Sequence, residues 1–160
     1  MKNRIMYSVV LLIAIGVWHS NNTPAVADIS EPVAESMRKL SKEIFAAYES
    51  RDTTALKKFY AKQPEALFFW ERKMKYTWQD LDITIDALVS AAAKLELTTS
   101  EFRSGGSGDT GWFAATFHIE RVTPEGKKSS SDGRWTVIAE KRDGRWLIVH
   151  EHTSFPVPKP

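Results

Sequence analysis

The sequence contains no cysteine among its 160 residues. This absence excludes a disulfide framework, a cysteine nucleophile, a thiolate metal site and a lipid-modified N-terminal cysteine. Long apolar runs are also missing: the run from Met6 to Trp18 has 13 mostly apolar residues, whereas a membrane span needs roughly 20. The chain shows no internal repeat, so its length predicts one domain with a hydrophobic core.

The first 27 residues have the order of a secretory signal. Lys2 and Arg4 provide a positive start, the apolar run follows, and an Ala-Val-Ala sequence ends at Ala27. We expect cleavage after Ala27, a secreted or periplasmic location, and a mature domain of residues 28–160 with its core at about 31–156. The alternative, a membrane anchor, is disfavoured by the shortness of the run, and no membrane contact is expected after cleavage.

The mature chain has no surplus of charge. The full sequence has 22 Lys+Arg and 20 Asp+Glu, and the predicted signal contains two basic residues and no acid. Removing it leaves 20 residues of each sign. Because nucleic-acid-binding domains usually have a clear basic excess, no nucleic-acid partner is expected.

The hydrophobic period changes from helical to strand-like near residue 97. Helical spacing predicts helices over 33–48 and 55–60 and another from Thr77 through Ala92 and Leu95, with a short strand or packed loop at 66–70. Alternation predicts strands at 97–103, 112–121, 131–141 and 145–154, joined by a flexible connection at 104–111, a turn at 123–126 and a hairpin turn at 143–144. This order predicts an α+β fold with N-terminal helices packed on one face of a curved antiparallel sheet.

Strand alternation also predicts the two faces of that sheet. The face beneath the helices is predicted to contain Phe113, Phe117, Ile119, Trp135, Val137, Leu147 and Val149. The opposite face is predicted to contain His118, Arg134, Thr136, His150, His152 and Ser154. Its mixture of aromatic, aliphatic and hydrogen-bonding groups is typical of an oligomer interface.

The end of the chain resembles a known superfamily. The pattern Arg134-x-Thr136, the segment 141–146 and the segment 147–156 with His150, His152, Ser154 and Pro156 are similar to nuclear transport factor 2-like proteins. SnoaL-like domains and the association domain of calcium/calmodulin-dependent protein kinase II are the nearest in pattern. The resemblance implies a cone-shaped fold with a pocket at its open end, and a homodimer formed through the outer sheet face. The superfamily includes isomerases, dehydratases and hydrolases as well as non-catalytic adaptors, so activity must be argued from the site.

The candidate pocket residues lie on the predicted inner face and on the helices. Glu151 is the candidate catalytic base, because a carboxylate near the mouth of the cone can accept a proton. The alternative is a solvated carboxylate or one paired with an arginine. The candidate wall residues are Tyr48, Trp70, Tyr76, Trp78, Phe117, Trp135, Val137 and Thr153. The kinase association domain has pocket arginines at positions that align with Phe117, Val137 and Thr153, so its carboxylate-binding arrangement is not carried over.

The candidate interface residues are Arg134, Thr136, His150, His152 and Ser154. For Arg134 and Thr136, cross-strand pairing with Glu120 or Glu140 is favoured over anion recognition. A zinc site formed by three imidazoles, those of His150, His152 and His118, is the alternative for the histidines. A structural role is favoured, and no metal or cofactor is expected.

Two functional hypotheses remain from the sequence. In the first, the cone binds a small, largely apolar molecule, with or without isomerase, dehydratase or hydrolase chemistry. In the second, the protein is a non-catalytic interaction module that self-associates through its outer sheet face.

Overall fold

The computed structural model describes residues 30–62, 66–70, 73–75 and 77–156. The helices are α1 (Glu31–Glu49), α2 (Thr53–Lys57) and α3 (Trp78–Ser90). The strands are β1 (Leu67–Trp70), β2 (Lys73–Lys75), β3 (Lys94–Ser107), β4 (Thr110–Val122), β5 (Lys128–Arg142) and β6 (Arg145–Ser154). The predicted secretory signal and Tyr76 lie outside the described residues. Within the described ranges, none of the helices has the length and apolar character that a membrane span requires.

Helix α1 covers the inner face of the sheet, where it packs against β3 and β4. Its predicted apolar stripe, from Val33 to Tyr48, is buried along its whole length. Pro32 lies in the first turn, where its missing N–H has no helical partner to lose. Ser30 occupies the N-cap position as predicted, but its side chain makes no capping hydrogen bond.

Helix α3 begins as predicted and ends earlier than predicted. The side chain of Thr77 accepts a hydrogen bond from the backbone N–H of Asp80 at 3.1 Å, which caps the first turn. The helix ends at Ser90, so the prediction that Ala92 and Leu95 continue its stripe is wrong. Leu95 belongs to β3, where sheet pairing replaces helical hydrogen bonds. The side chains of Ala92 and Leu95 are nevertheless buried, although neither residue lies in the helix.

The sheet has the order β2-β1-β6-β5-β4-β3 within the described part of the chain. The strands from β3 to β6 form the predicted antiparallel meander, and the α+β prediction is confirmed. Strand β1 pairs with β6 in parallel, however, and with β2 antiparallel. The sheet is therefore mixed, because the chain leaves β1, passes through α3 and the meander, and returns beside β1 as its last strand.

The two predicted connections at 104–111 and 143–144 have different outcomes. The hairpin at Asp143-Gly144 is confirmed, and both residues have positive φ, at 51° and 76°. The segment 104–111 is not a flexible loop, because β3 and β4 continue through it to a two-residue turn at Gly108-Asp109. Gly105 pairs with Trp112 across the strands, and a Cβ at Gly105 would lie 2.9 Å from that indole. The glycine thus serves close strand packing.

A β-bulge changes which side chains of β6 face the core. Ile138 pairs with His150 and Ala139 pairs with Ile148, so Val149 has no partner in the ladder. Because of this extra residue, the β6 side chains before Val149 face the opposite side of the sheet from the one that simple alternation predicts. Ile148 is fully buried, whereas Leu147 and Val149 are only partly buried. The prediction that Ile148 faces outward is therefore wrong, whereas Leu147 and Val149, predicted to face the core, pack against it and are only partly buried.

Candidate functional site

A cavity opens between α1, α3 and the inner face of the sheet. Its volume is about 90 Å³, which is about six to nine water-sized positions at roughly 10–15 Å³ each. Eight of its lining residues are aromatic or aliphatic and three are polar: Phe45, Tyr48, Leu88, Leu97, Phe117, Ile119, Trp135 and Phe155, with Arg121, Glu151 and Thr153. A mostly apolar wall with a few polar groups is typical of small-molecule sites.

Glu151 is the buried polar group of the cavity, and 2% of it is exposed to solvent. The indole Nε1 of Trp135 donates a hydrogen bond to its Oε1 at 2.5 Å. The Trp135 ring is in turn packed against Phe45 and Phe113, at ring-centroid distances of 5.1 and 4.8 Å. The carboxylate is therefore held in a defined orientation by an aromatic cluster.

Two tyrosines interact with this carboxylate. Burial raises the pKa of the Tyr60 hydroxyl well above its ordinary value, and the negative charge of Glu151 and the neighbouring Tyr48 raise it further. Burial also raises the pKa of Tyr48, with a further contribution from Glu151. Both phenols therefore stay protonated at neutral pH. The site combines one buried carboxylate with two neighbouring protonated hydroxyl groups.

The structure brings together five of the candidate pocket residues of the sequence. Tyr48, Phe117, Trp135, Glu151 and Thr153 all line the cavity. Their sequence positions are far apart, and the register of β5 and β6 brings the strand residues into adjacent rows.

Three other candidate residues have different positions. Val137 is fully buried beneath the cavity, in the same cross-strand row as Phe113 and Glu151. Trp78 is at the start of α3 and outside the cavity wall, where the Lys62 ammonium lies 4.8 Å from its ring centroid. The backbone of Trp70 ends β1, and its side chain lies outside the described residues.

Sequence reasoning missed six lining residues: Phe45, Leu88, Leu97, Ile119, Arg121 and Phe155. Alternation along β4 offered a signal for two of them, Ile119, which it placed on the inner face, and Arg121. Arg121 has the same parity as Phe117 and Ile119, which predicts that it faces inward with them. Phe45, next to Ile44 of the buried stripe, offered no comparable signal.

The candidate interface residues lie on the outer sheet face. The rings of His150 and His152 each lie 6.0 Å from the ring of Phe69 on β1. His118 is instead hydrogen-bonded through Nδ1 to Asp132 at 2.8 Å. That contact raises the pKa of His118. No group of three or more His, Cys, Asp or Glu side chains with metal-binding geometry occurs in the described ranges.

The predicted pairing of Arg134 with Glu120 or Glu140 is wrong. Arg134 lies opposite Thr116 on β4 and Ser154 on β6. Glu140 forms an ion pair with Arg142 at 2.6 Å instead. The reason is register, because Glu120 lies opposite Ser130, four positions from Arg134 along β5.

The fold and the cavity together define a class: a small α+β domain whose curved sheet and helices enclose a mostly apolar pocket. Within this class the chain belongs to the SnoaL-like domain family, whose model matches residues 37–158. No curated protein matches the chain in sequence.

Solved structures show the same fold at low sequence identity. A candidate dehydratase of the nuclear transport factor 2-like family from Streptomyces avermitilis has a TM-score of 0.73 at 12% identity, covering 81% of this chain and 100% of the other. A nuclear transport factor 2-like superfamily protein from Salmonella enterica has a TM-score of 0.71 at 19% identity, covering 81% and 94%. A candidate calcium/calmodulin-dependent protein kinase II association domain from Xanthomonas campestris has a TM-score of 0.67 at 20% identity, covering 76% and 86%. These similarities establish the fold, and the membership agrees with the resemblance at the end of the sequence.

Proposed function

We propose that this SnoaL-like domain binds a small, largely apolar molecule in the cavity. The observation that carries the proposal is the combination of an apolar wall with one buried, oriented carboxylate, Glu151, at the inner end. A buried carboxylate without a ligand-binding or structural role is disfavoured, because burial of charge is costly. The apolar residues supply the affinity and the carboxylate supplies orientation.

Binding is tested by filling the cavity. Thr153→Phe places a ring in the cavity, and we expect it to weaken binding of any ligand found by a thermal-shift screen at least tenfold. The matched control is Thr98→Phe, which makes the same change at an exposed β3 residue outside the cavity. Equal affinity in both variants would place the ligand elsewhere and reject the cavity as the site.

The catalytic version of the proposal gives Glu151 the role of a base. Its carboxylate would accept a proton from a bound substrate, while the protonated hydroxyl of Tyr48, which also lines the cavity, would donate a hydrogen bond to a developing oxyanion. This division is typical of isomerase and dehydratase chemistry, and the Streptomyces avermitilis relative is described as a candidate dehydratase. Glu151→Gln keeps the shape and removes the base, so turnover should fall by at least a hundredfold. Unchanged turnover would leave Glu151 with a binding or structural role.

We also propose that the protein is secreted, with residues 1–27 removed. N-terminal sequencing of the exported protein tests this, and the expected first residue is Asp28. A mature protein that begins at Met1 would reject the proposed cleavage.

A second candidate function, self-association through the outer face, is favoured by a separate observation. Trp112 is 38% exposed and Ile138 is 36% exposed, and they are cross-strand partners. Ile138 pairs in turn with His150. Adjacent exposed apolar side chains on an otherwise polar face are typical of an interface.

Ultracentrifugation of matched variants tests the dimer. Ile138→Lys should raise the dimer dissociation constant at least tenfold. Ile83→Lys is the control, since Ile83 is 67% exposed on α3, away from the outer sheet face. A monomeric wild-type protein at high concentration would reject self-association, and equal effects of the two variants would reject this face as the interface.

A further inference from the structure

Arg121 is the outermost inward-facing residue of β4. Burial along the inner face of this strand decreases from Phe113, which is fully buried, through Phe117 to Ile119 and Arg121, which are partly buried. Arg121 therefore lies at the rim of the cavity, beside the apolar wall residue Ile119.

The guanidinium of Arg121 lacks a partner within the described part of the chain. Its Nε is buried and donates no hydrogen bond to an acceptor there. In the described part of the chain, the neighbouring carboxylates of Glu96 and Glu120 contact Lys94 and His118, and neither forms an ion pair with Arg121. A guanidinium directs its donors in a fixed plane, a geometry that matches two oxygens of one carboxylate.

The carboxylates nearest to Arg121 in sequence and register are engaged elsewhere. Glu120 and Glu96 lie opposite each other, and both alternate with the inward residues of their strands, so they belong to the outer face. Lys94 forms an ion pair with Glu96 at 2.5 Å, and His118 lies 3.8 Å from Glu120. Glu49 accepts a hydrogen bond from the backbone N–H of Leu97 at 3.2 Å and likewise forms no ion pair with Arg121 in the described part of the chain.

The rim and the inner end of the cavity are separate polar positions. Glu151 shares a cross-strand row with Phe113, and Arg121 is eight residues farther along β4. Leu97 and Ile119 are cross-strand partners between Arg121 and the row of Phe113, and both line the cavity, so the apolar body of a ligand held at Arg121 would lie against them.

We propose that Arg121 binds the carboxylate of an amphipathic ligand whose apolar body lies against the cavity wall. This inference rests on the proposed binding function and names the class of ligand: small aromatic or aliphatic carboxylic acids, bound with the acid at the rim. The bidentate contact would supply the acceptor that the buried Nε lacks in the chain.

The test uses 4-phenylbutanoate and 4-phenylbutanamide, which have the same shape and differ in charge. Isothermal titration at low salt should show that the wild-type protein binds the acid at least tenfold more tightly than the amide. Added salt should reduce that preference, since it screens the partly exposed ion pair. Arg121→Gln should weaken acid binding to the level of the amide and leave amide binding unchanged.

Two further variants keep the result interpretable. Arg121→Lys keeps the charge and should retain part of the preference, even if the glutamine variant is unstable. Arg145→Gln removes an exposed arginine outside the cavity and should leave both affinities unchanged.

The outcomes separate this inference from the proposed function. If the wild-type protein binds acid and amide equally, or if Arg121→Gln weakens both equally, the role of Arg121 is rejected and cavity binding stands. If neither probe binds, or if Thr153→Phe leaves both affinities unchanged, cavity binding of such molecules is rejected as well.

Discussion

The hydrogen bond between Trp135 and Glu151 offers a quantitative test of the site. Trp135→Phe removes the indole N–H that donates to Glu151 at 2.5 Å and keeps an aromatic ring beside Phe45 and Phe113. A hydrogen bond to a charged group contributes about 1.5–3 kcal/mol, and the smaller ring costs about 1 kcal/mol more. We therefore expect the free energy of unfolding to fall by roughly 2.5–4 kcal/mol.

Urea denaturation measures this loss, and Trp146→Phe provides the reference. Trp146 is partly buried on β6 at the margin of the core, so its replacement reports the cost of the smaller ring. In the double variant with Glu151→Gln, the cost of Trp135→Phe should decrease by at least about 1 kcal/mol, because the charged acceptor is already absent. Equal losses for Trp135→Phe and Trp146→Phe, together with additivity in the double variant, would refute the reasoning.

Three further predictions concern the sheet. A Cβ at Gly133 would overlap Cζ of Phe117, so Gly133→Ala should displace that ring into the cavity. The variant should lower stability by about 1–3 kcal/mol and weaken ligand binding. Unchanged binding would contradict the displacement. Asp132 raises the pKa of His118. The pair of His118 and Asp132 therefore contributes to stability below the ordinary histidine pKa, and this contribution is lost as pH rises through the higher folded pKa. Histidine NMR titration should show Asp132→Asn returning the His118 pKa toward its ordinary value, and an unaltered titration would reject the pairing. Gly144 has φ 76°, so Gly144→Ala should destabilise the hairpin by about 1–2 kcal/mol in urea denaturation, and an effect near zero would contradict the strain.

The outcome of the sequence predictions depends on how local each signal is. The buried stripe of α1 and the inward parity of β4 follow from periodicity along a single segment, and both are present in the structure. The Asp143-Gly144 turn is equally local, since two residues with positive φ suffice to reverse the chain. Alternation along β6 also predicted the inward position of Glu151, which lies after the bulge.

The failures arise where the backbone depends on its neighbours. The bulge opposite Ile138 and Ala139 reverses the parity of Leu147 and Ile148, and nothing in the sequence of β6 alone marks an unpaired residue. The continuation of β3 and β4 through 104–111 depends on the pairing of Gly105 with Trp112. From the sequence alone, the glycines of this segment predict a flexible connection instead. The parallel contact of β1 with β6 joins segments separated by most of the domain.

The sequence by itself determined the α+β order, the inward faces of β4 and β5, and the family resemblance at the end of the chain, because these depend on side-chain period and short motifs. Only the tertiary structure decided that Glu151 is oriented by Trp135, that Tyr48 and Tyr60 interact with it, and that Arg121 lies at the rim without a partner in the described chain. Burial and partnership are properties of several segments packed together. The chemistry of the cavity therefore depends on sheet register and helix packing, which no single segment encodes.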